Sequence, residues 1–167
     1  MNSAVTALIA GERTTVKTKA WLRGLTLAAN EAAKALAWGS VLVGQASQDN
    51  EYGDISIWLG SGDYGKDHEK QILDAMGLSE NLGEAEVTPV AVSPTTHLPE
   101  HVEFPPKQPE MEVLIGLLSE LDEIHAFRVV DLIGKGGLTV HFLVGHLKGE
   151  GHTPGWAGLV GIEAEVK

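Results

Sequence analysis

Apolar positions recur at intervals of three and four over the first part of the chain. Trp21, Leu25, Ala28, Ala29, Ala32 and Leu36 fall on one side of a helix predicted over 20–38, while Arg23, Asn30 and Lys34 share another side. Gly39 is expected to stop it. The run Val41 to Val43 predicts a short apolar strand, and Gln45 to Gly53 a polar loop carrying Asp49 and Glu51. From Asp54 to Leu59 polar and apolar residues alternate, which predicts another strand. Glycines at 60, 62 and 65 then lead into a helix over 67–76, closed by Gly77. Glu86 to Ser93 reads as a strand in which Pro89 demands an edge or a bulge, because proline cannot donate to a ladder. Pro94 to Pro109, with five prolines and two histidines, predicts irregular structure. A third helix over 110–121 turns Leu114, Leu117, Leu118 and Leu121 inward. Strands over 127–133 and 138–145 flank the glycine turn at 134–137 as a hairpin, and a last strand runs from Trp156 to Val166. Three helices and about six strands in mixed order predict a layered α/β or α+β sandwich.

At 167 residues, 43% of them apolar, the chain is long enough to bury one core without staples, and it contains no cysteine. That excludes disulfides, thiolate metal sites and a cysteine nucleophile, and makes a cytoplasmic setting the expectation. The opening apolar stretch, Ala4 to Ala10, is too short to span a bilayer.

Charge is unevenly spread. Residues 1–40 hold five basic and two acidic residues, a balance of +3, whereas residues 41–167 hold seven basic and twenty-one acidic, a balance of −14. Seven cations scattered over so long a region are a poor match to a phosphate backbone, so direct nucleic-acid binding is not expected. The same negative field would steer the chain toward the basic clefts of proteins that do bind nucleic acid.

Several motifs tempt a chemical reading. Gly60-Ser61-Gly62-Asp63-Tyr64-Gly65 has the G-x-G-x-x-G spacing of a dinucleotide fingerprint. A phosphate there would meet Asp63 and Asp67, Glu69 occupies a position that usually packs small on the sheet, and Ala91-Val92-Ser93 offers no acid to a ribose. The expectation is a plain strand-to-helix turn and no cofactor. Among the seven histidines, His141 and His146 are five apart and point to opposite faces of a strand. His97 and His101 have the spacing of a helical zinc pair, but Pro99 lies between them. His125 and His152 have no carboxylate partner that the sequence identifies. No metal site, nucleophile elbow or triad emerges, and the chain is expected not to be an enzyme.

Read in order, Asn50-Glu51-Tyr52, Ile55-Ser56-Ile57-Trp58, Gly60-Ser61-Gly62, Val87-Thr88-Pro89-Val90, Phe127-Arg128-Val129, Phe142-Leu143-Val144-Gly145 and Ala157-Gly158-Leu159 resemble the nuclease A inhibitor-like (NuiA-like) family over about Val41 to Val166. The resemblance implies a three-layer α/β/α sandwich with a mixed, mostly antiparallel, PR-1-like sheet. It divides the chain into an N-terminal extension and helix, 1–40, and an inhibitor-like unit, 41–167, within one compact domain. It also implies a partner: a magnesium-dependent, sugar-nonspecific nuclease, or another nucleic-acid-binding protein with a basic cleft.

Family members approach the nuclease's metal with an acidic loop residue before the first long strand and with the C-terminal residue. Here the loop position falls on Asp49 or Glu51 and the terminal one on Val166 or Lys167. The family pattern ends in Thr, whereas this chain ends Glu165-Val166-Lys167, which removes a terminal hydroxyl and leaves the α-carboxylate. Asp54, Asp63 and Asp67 would complete the acidic face. A carboxylate held there replaces a phosphate oxygen in the octahedral shell of magnesium. Two other readings differ in class. One is a small metal-dependent hydrolase or ligand-binding domain using the histidine-rich Pro94 to Pro109 loop with His141, and the other a phage-type structural or assembly protein attached through its basic first 40 residues.

Overall fold

A computed structural model describes residues 7–9, 14–44, 52–78, 86–130 and 138–164. The chain is α+β, with elements in the order β1 (Ala7–Ile9), α1 (Val16–Ala35), β2 (Tyr52–Gly60), α2 (Glu69–Ala75), β3 (Glu86–Val90), α3 (Pro109–Leu118), β4 (Leu121–Val130), β5 (Leu138–Leu147) and β6 (Gly155–Ala164). One sheet holds all six strands in the order β1-β2-β6-β5-β4-β3. Five of them run antiparallel to their neighbours, and β1 joins β2 in parallel at the margin. Pro89 lies in β3, the opposite marginal strand, as its missing N–H requires.

Helix α1 starts four residues earlier than the apolar spacing alone predicts, because Thr15 caps it: its hydroxyl accepts the Thr18 N–H at 3.2 Å. It also stops before Gly39. Ala37 takes the left-handed conformation (φ 58°), and the Trp38 and Ala37 N–H groups close back on the Ala33 and Lys34 carbonyls at 2.7 and 3.1 Å. That is a Schellman closure with alanine where glycine is usual.

The buried stripe of α1 runs through Trp21, Leu22, Leu25, Thr26, Ala28, Ala29, Ala32 and Ala33. It packs with Met111, Leu114 and Leu118 of α3, and with Trp58, Leu143, Leu147 and Leu159 of the sheet. Helix α1 is therefore part of the core and no appendage. A second cluster joins Ile72 and Leu73 of α2 to Ile57, Leu59, Phe127, Val129, Val140, Phe142, Val144 and Val160. Successive residues of β2, Ile57 and Trp58, thus enter different clusters, and both faces of this strand are covered.

One expectation fails for a local reason, and one strand goes unannounced by the sequence. Val41 to Val43 is a buried turn, closed by the Gly44 N–H on the Ser40 carbonyl at 3.0 Å and the Val43 N–H on the Ser40 hydroxyl at 3.2 Å. An apolar run plugs the end of the core here without joining a ladder. Strand β1, three residues long, was not predicted and is specified by its parallel partner in β2. The hairpin turn at 134–137 lies outside the described residues.

Candidate functional site

The site predicted from the resemblance divides in two. Asp49 and Glu51, and Glu165, Val166 and Lys167, lie outside the described residues, but the strands that carry them do not. Tyr52 pairs with Ile162, so the chain enters β2 beside the place where it leaves β6. The segment 45–51 and the residues after Ala164 therefore attach at the same end of the sheet.

Asp54 does not face outward. It is 1% exposed, takes the Ser40 hydroxyl at 2.6 Å on Oδ1 and the Val41 N–H at 2.7 Å on Oδ2, and so ties β2 to the turn before residue 45. The acidic-face role expected of Asp54 is corrected on this ground: a carboxylate enclosed by internal donors cannot meet a partner's cation. Asn30 adds a second tie, its amide donating to the Thr26 and Asp54 carbonyls at 2.7 and 3.1 Å. Gly161 makes room for the arrangement, since a Cβ there would collide with Asp54 Oδ1 and Ser40 Oγ. His101 completes the frame by donating its Nε2–H to the Leu42 carbonyl at 2.8 Å.

Asp63 is exposed, but it follows the other end of β2. Nine residues at about 3.3 Å each put roughly 26 Å between the two ends of this strand, so Asp63 and Asp67 follow the end of β2 opposite to Tyr52.

The G-x-G-x-x-G run does not open directly into a helix. A turn closed by the His68 N–H on the Gly65 carbonyl at 3.0 Å intervenes, and α2 begins at Glu69. Strands β2 and β3 lie with three strands between them, so no adjacent parallel βαβ unit forms around the glycines.

The histidines show what sequence spacing conceals. His101 and His141 do come together, with ring centroids 6.2 Å apart, but their Nε2–H groups are committed to the Leu42 carbonyl and, at 3.0 Å, to Glu163. Burial lowers the pKa of His141, against the raising influence of Glu163. His152 lies between Thr18 and Glu120: Nδ1 accepts the Thr18 hydroxyl at 3.0 Å and Nε2–H donates to Glu120 at 3.3 Å. The order Thr-His-Glu resembles a catalytic relay, yet Thr18 is fully buried and its oxygen accepts the Thr153 N–H at 3.0 Å, so it fastens β6's approach to α1.

His125, on β4, borders a cavity of about 400 Å³ lined also by Lys66, Asp67, Glu69, Val90 and Ile124. Its Nε2–H donates to the Tyr64 carbonyl at 2.8 Å, which fixes the neutral tautomer with the lone pair on Nδ1. Burial lowers its pKa, with the Tyr64 bond and then Glu69 acting in the opposite direction. Among the described residues, no three His, Asp or Glu side chains converge as a metal-binding group, and no helix is long and apolar enough to cross a membrane. The pairings His152–Glu120 and His125–Glu69 span 32 and 56 positions, and no local signal in the sequence announces them. No protein-family model, curated protein or solved structure matches the chain.

Proposed function

We propose that this chain is a non-enzymatic inhibitor of a magnesium-dependent, sugar-nonspecific nuclease, a three-layer α/β/α, PR-1-like sandwich of the NuiA-like kind. It presents Asp49 or Glu51, together with Glu165 to Lys167, to the basic cleft and metal of its target. The observation that carries this reading is the pairing of Tyr52 with Ile162, which roots the acidic segment and the end of β6 side by side. Asp54 contributes as a brace: by bonding Ser40 and Val41 it holds together the two points between which segment 45–51 is strung. A loop with fixed ends loses less entropy on binding than one with free ends. The long-range charge that favours encounter resides in residues 41–167, with their balance of −14.

The test is DNA digestion by a panel of such nucleases with and without the protein. Inhibition is expected from the wild type, weakening as salt rises. Asp49→Ala or Glu51→Ala should lose on the order of tenfold or more in inhibition, as expected for the carboxylate at the centre of an interface. Asp63→Ala, at the far end of β2, should inhibit like the wild type. Unchanged digestion by every nuclease refutes the proposal.

A further inference from the structure

Helices α1 and α3 pack on one another and on the same cluster over one face of the sheet, so their solvent sides adjoin as an outer layer. On α1, Val16, Lys19, Arg23, Leu27 and Lys34 recur at three, four and seven and are all exposed. A single stripe of roughly 27 Å therefore carries three cations and two apolar side chains. Helix α3 contains no Lys or Arg, and its solvent side carries Glu112 and Val113 beside the half-buried Glu110.

The apolar residues of this layer are unusual for their exposure. Among the described residues four large apolar side chains are exposed, and three of them, Val16, Leu27 and Val113, lie on these two helices. Their concentration on one layer, framed by charge, is the pattern of a contact surface. The charges are also unpaired. Lys17 is engaged, on the Glu150 carbonyl, but the ion pairs among the described residues use none of Lys19, Arg23, Lys34, Glu110 and Glu112. A basic helix and an acidic one thus lie side by side in one molecule without meeting each other's charges.

We infer that this layer is a self-complementary docking surface for a second copy of the chain, with α1 of each copy lying over α3 of the other about a two-fold axis. Such a rotation exchanges the two helices, so the contact between cationic stripe and acidic helix is made twice and closes. A second copy fits better than an anionic membrane, because the apolar side of α1 is committed to the core and nothing remains to insert. It fits better than nucleic acid, because the carboxylates of α3 adjoin the cations. From the lengths and widths of the two helices the contact covers roughly 1,000 Å² with both copies counted, the lower end for a specific interface, which makes the dimer weak and reversible. Each copy carries −11, and at about 0.15 M salt a Debye length of roughly 8 Å screens that repulsion while charges in contact keep their effect. The inference does not rest on nuclease inhibition, and its test contains no nuclease.

The experiment is sedimentation equilibrium of the full chain at that salt, from about 10 μM to about 1 mM, with the apparent mass expected to rise from one chain toward two. Lys19→Glu with Arg23→Glu turns the α1 stripe acidic, and Glu110→Lys with Glu112→Lys turns α3 basic. Each double variant alone should self-associate roughly tenfold or more weakly than the wild type, since like charges then face one another. An equimolar mixture of the two should associate again, because every acidic helix meets a basic one. Leu27→Ser should weaken the dimer several-fold with all charges in place. Melting curves establish that the variants are folded; should the α3 variant not fold, the α1 variant and Leu27→Ser decide the matter. The inference is overturned if the wild type stays monomeric over the whole range, if neither the α1 reversal nor Leu27→Ser weakens association, or if the two folded reversals fail to associate when mixed. A mass that climbs past two chains overturns it as well, because a two-fold contact closes at the dimer.

Discussion

The two ends of β2 bury polar chemistry in opposite ways. At the start of the strand, Asp54 is enclosed, with donors on both carboxylate oxygens. Past its end, His125 has one ring nitrogen bonded and the other facing a carboxylate. A buried charge supplied with donors works as a fastener, and removing it strands the donors. A buried acceptor opposite another acceptor gives the fold little, and its removal costs correspondingly little. Burial alone therefore does not tell what a polar residue contributes to the fold; the inventory of donors and acceptors does.

The largest effect expected from this contrast is that of Asp54→Ala. Loss of the carboxylate leaves the Ser40 hydroxyl and the Val41 N–H without their acceptor, at a cost of about 3 kcal/mol. Melting should fall by roughly 6–12 °C for a chain of this size. Calorimetry showing a change near zero would mean that the turn at 40–44 is held by its other bonds alone.

A smaller effect concerns pH. His125 and His141 both have folded pKa values below 6.5, from burial first. Their depressed values mean that, as pH falls below 6.5, the unfolded chain takes up protons that the folded one resists, so stability is present above that pH and declines as the folded values are approached. Denaturant melts should show the wild type losing stability on acidification below pH 6.5. His125→Phe, which keeps the stacking on Phe127, should lose less over the same range and change stability by only about 1 kcal/mol at neutral pH. An equally steep acid loss in that variant would place the sensitivity at His141 and elsewhere.

The smallest effect lies away from both ends, at the close of α1. Ala37→Gly relieves the left-handed strain at φ 58° and should stabilise the chain by about 0.5–1 kcal/mol, read as a shift in denaturation midpoint. A neutral result would show that the greater freedom of glycine in the unfolded chain offsets the relief.

How far these ends were legible in the sequence follows from the range of the interactions. The stripe of α1, the strand at Asp54 to Leu59, the helix around Leu114 and the marginal placement of Pro89 are local patterns, and they were visible. The direction of Asp54 was not. Alternation around Ile55 and Ile57 suggests that Asp54 and Ser56 face water, but α1 covers that side and supplies Thr26, whose hydroxyl donates to Ser56 Oγ at 2.9 Å and accepts the Ser56 N–H at 2.8 Å. Only the packing of a second element reveals that such a face is buried. The Val41 to Val43 run misled for a related reason: apolar residues mark burial, and whether they ladder or turn is decided by a neighbour, here the hydroxyl and carbonyl of Ser40. The candidate site fared similarly. Its acidic residues could be named one by one, but their division between the two ends of β2 depends on strand length and on the β2–β6 register.

The placement of Pro89 carries a consequence for how this molecule can meet others. One margin of the sheet is a strand of three residues and the other interrupts its row of amides with an imino acid, so neither described border offers an incoming peptide a long run of hydrogen-bonding groups. Recognition by strand addition is disfavoured at both borders. At these described borders contacts would run through loops and side chains, and crowded copies find little template there on which to zip together.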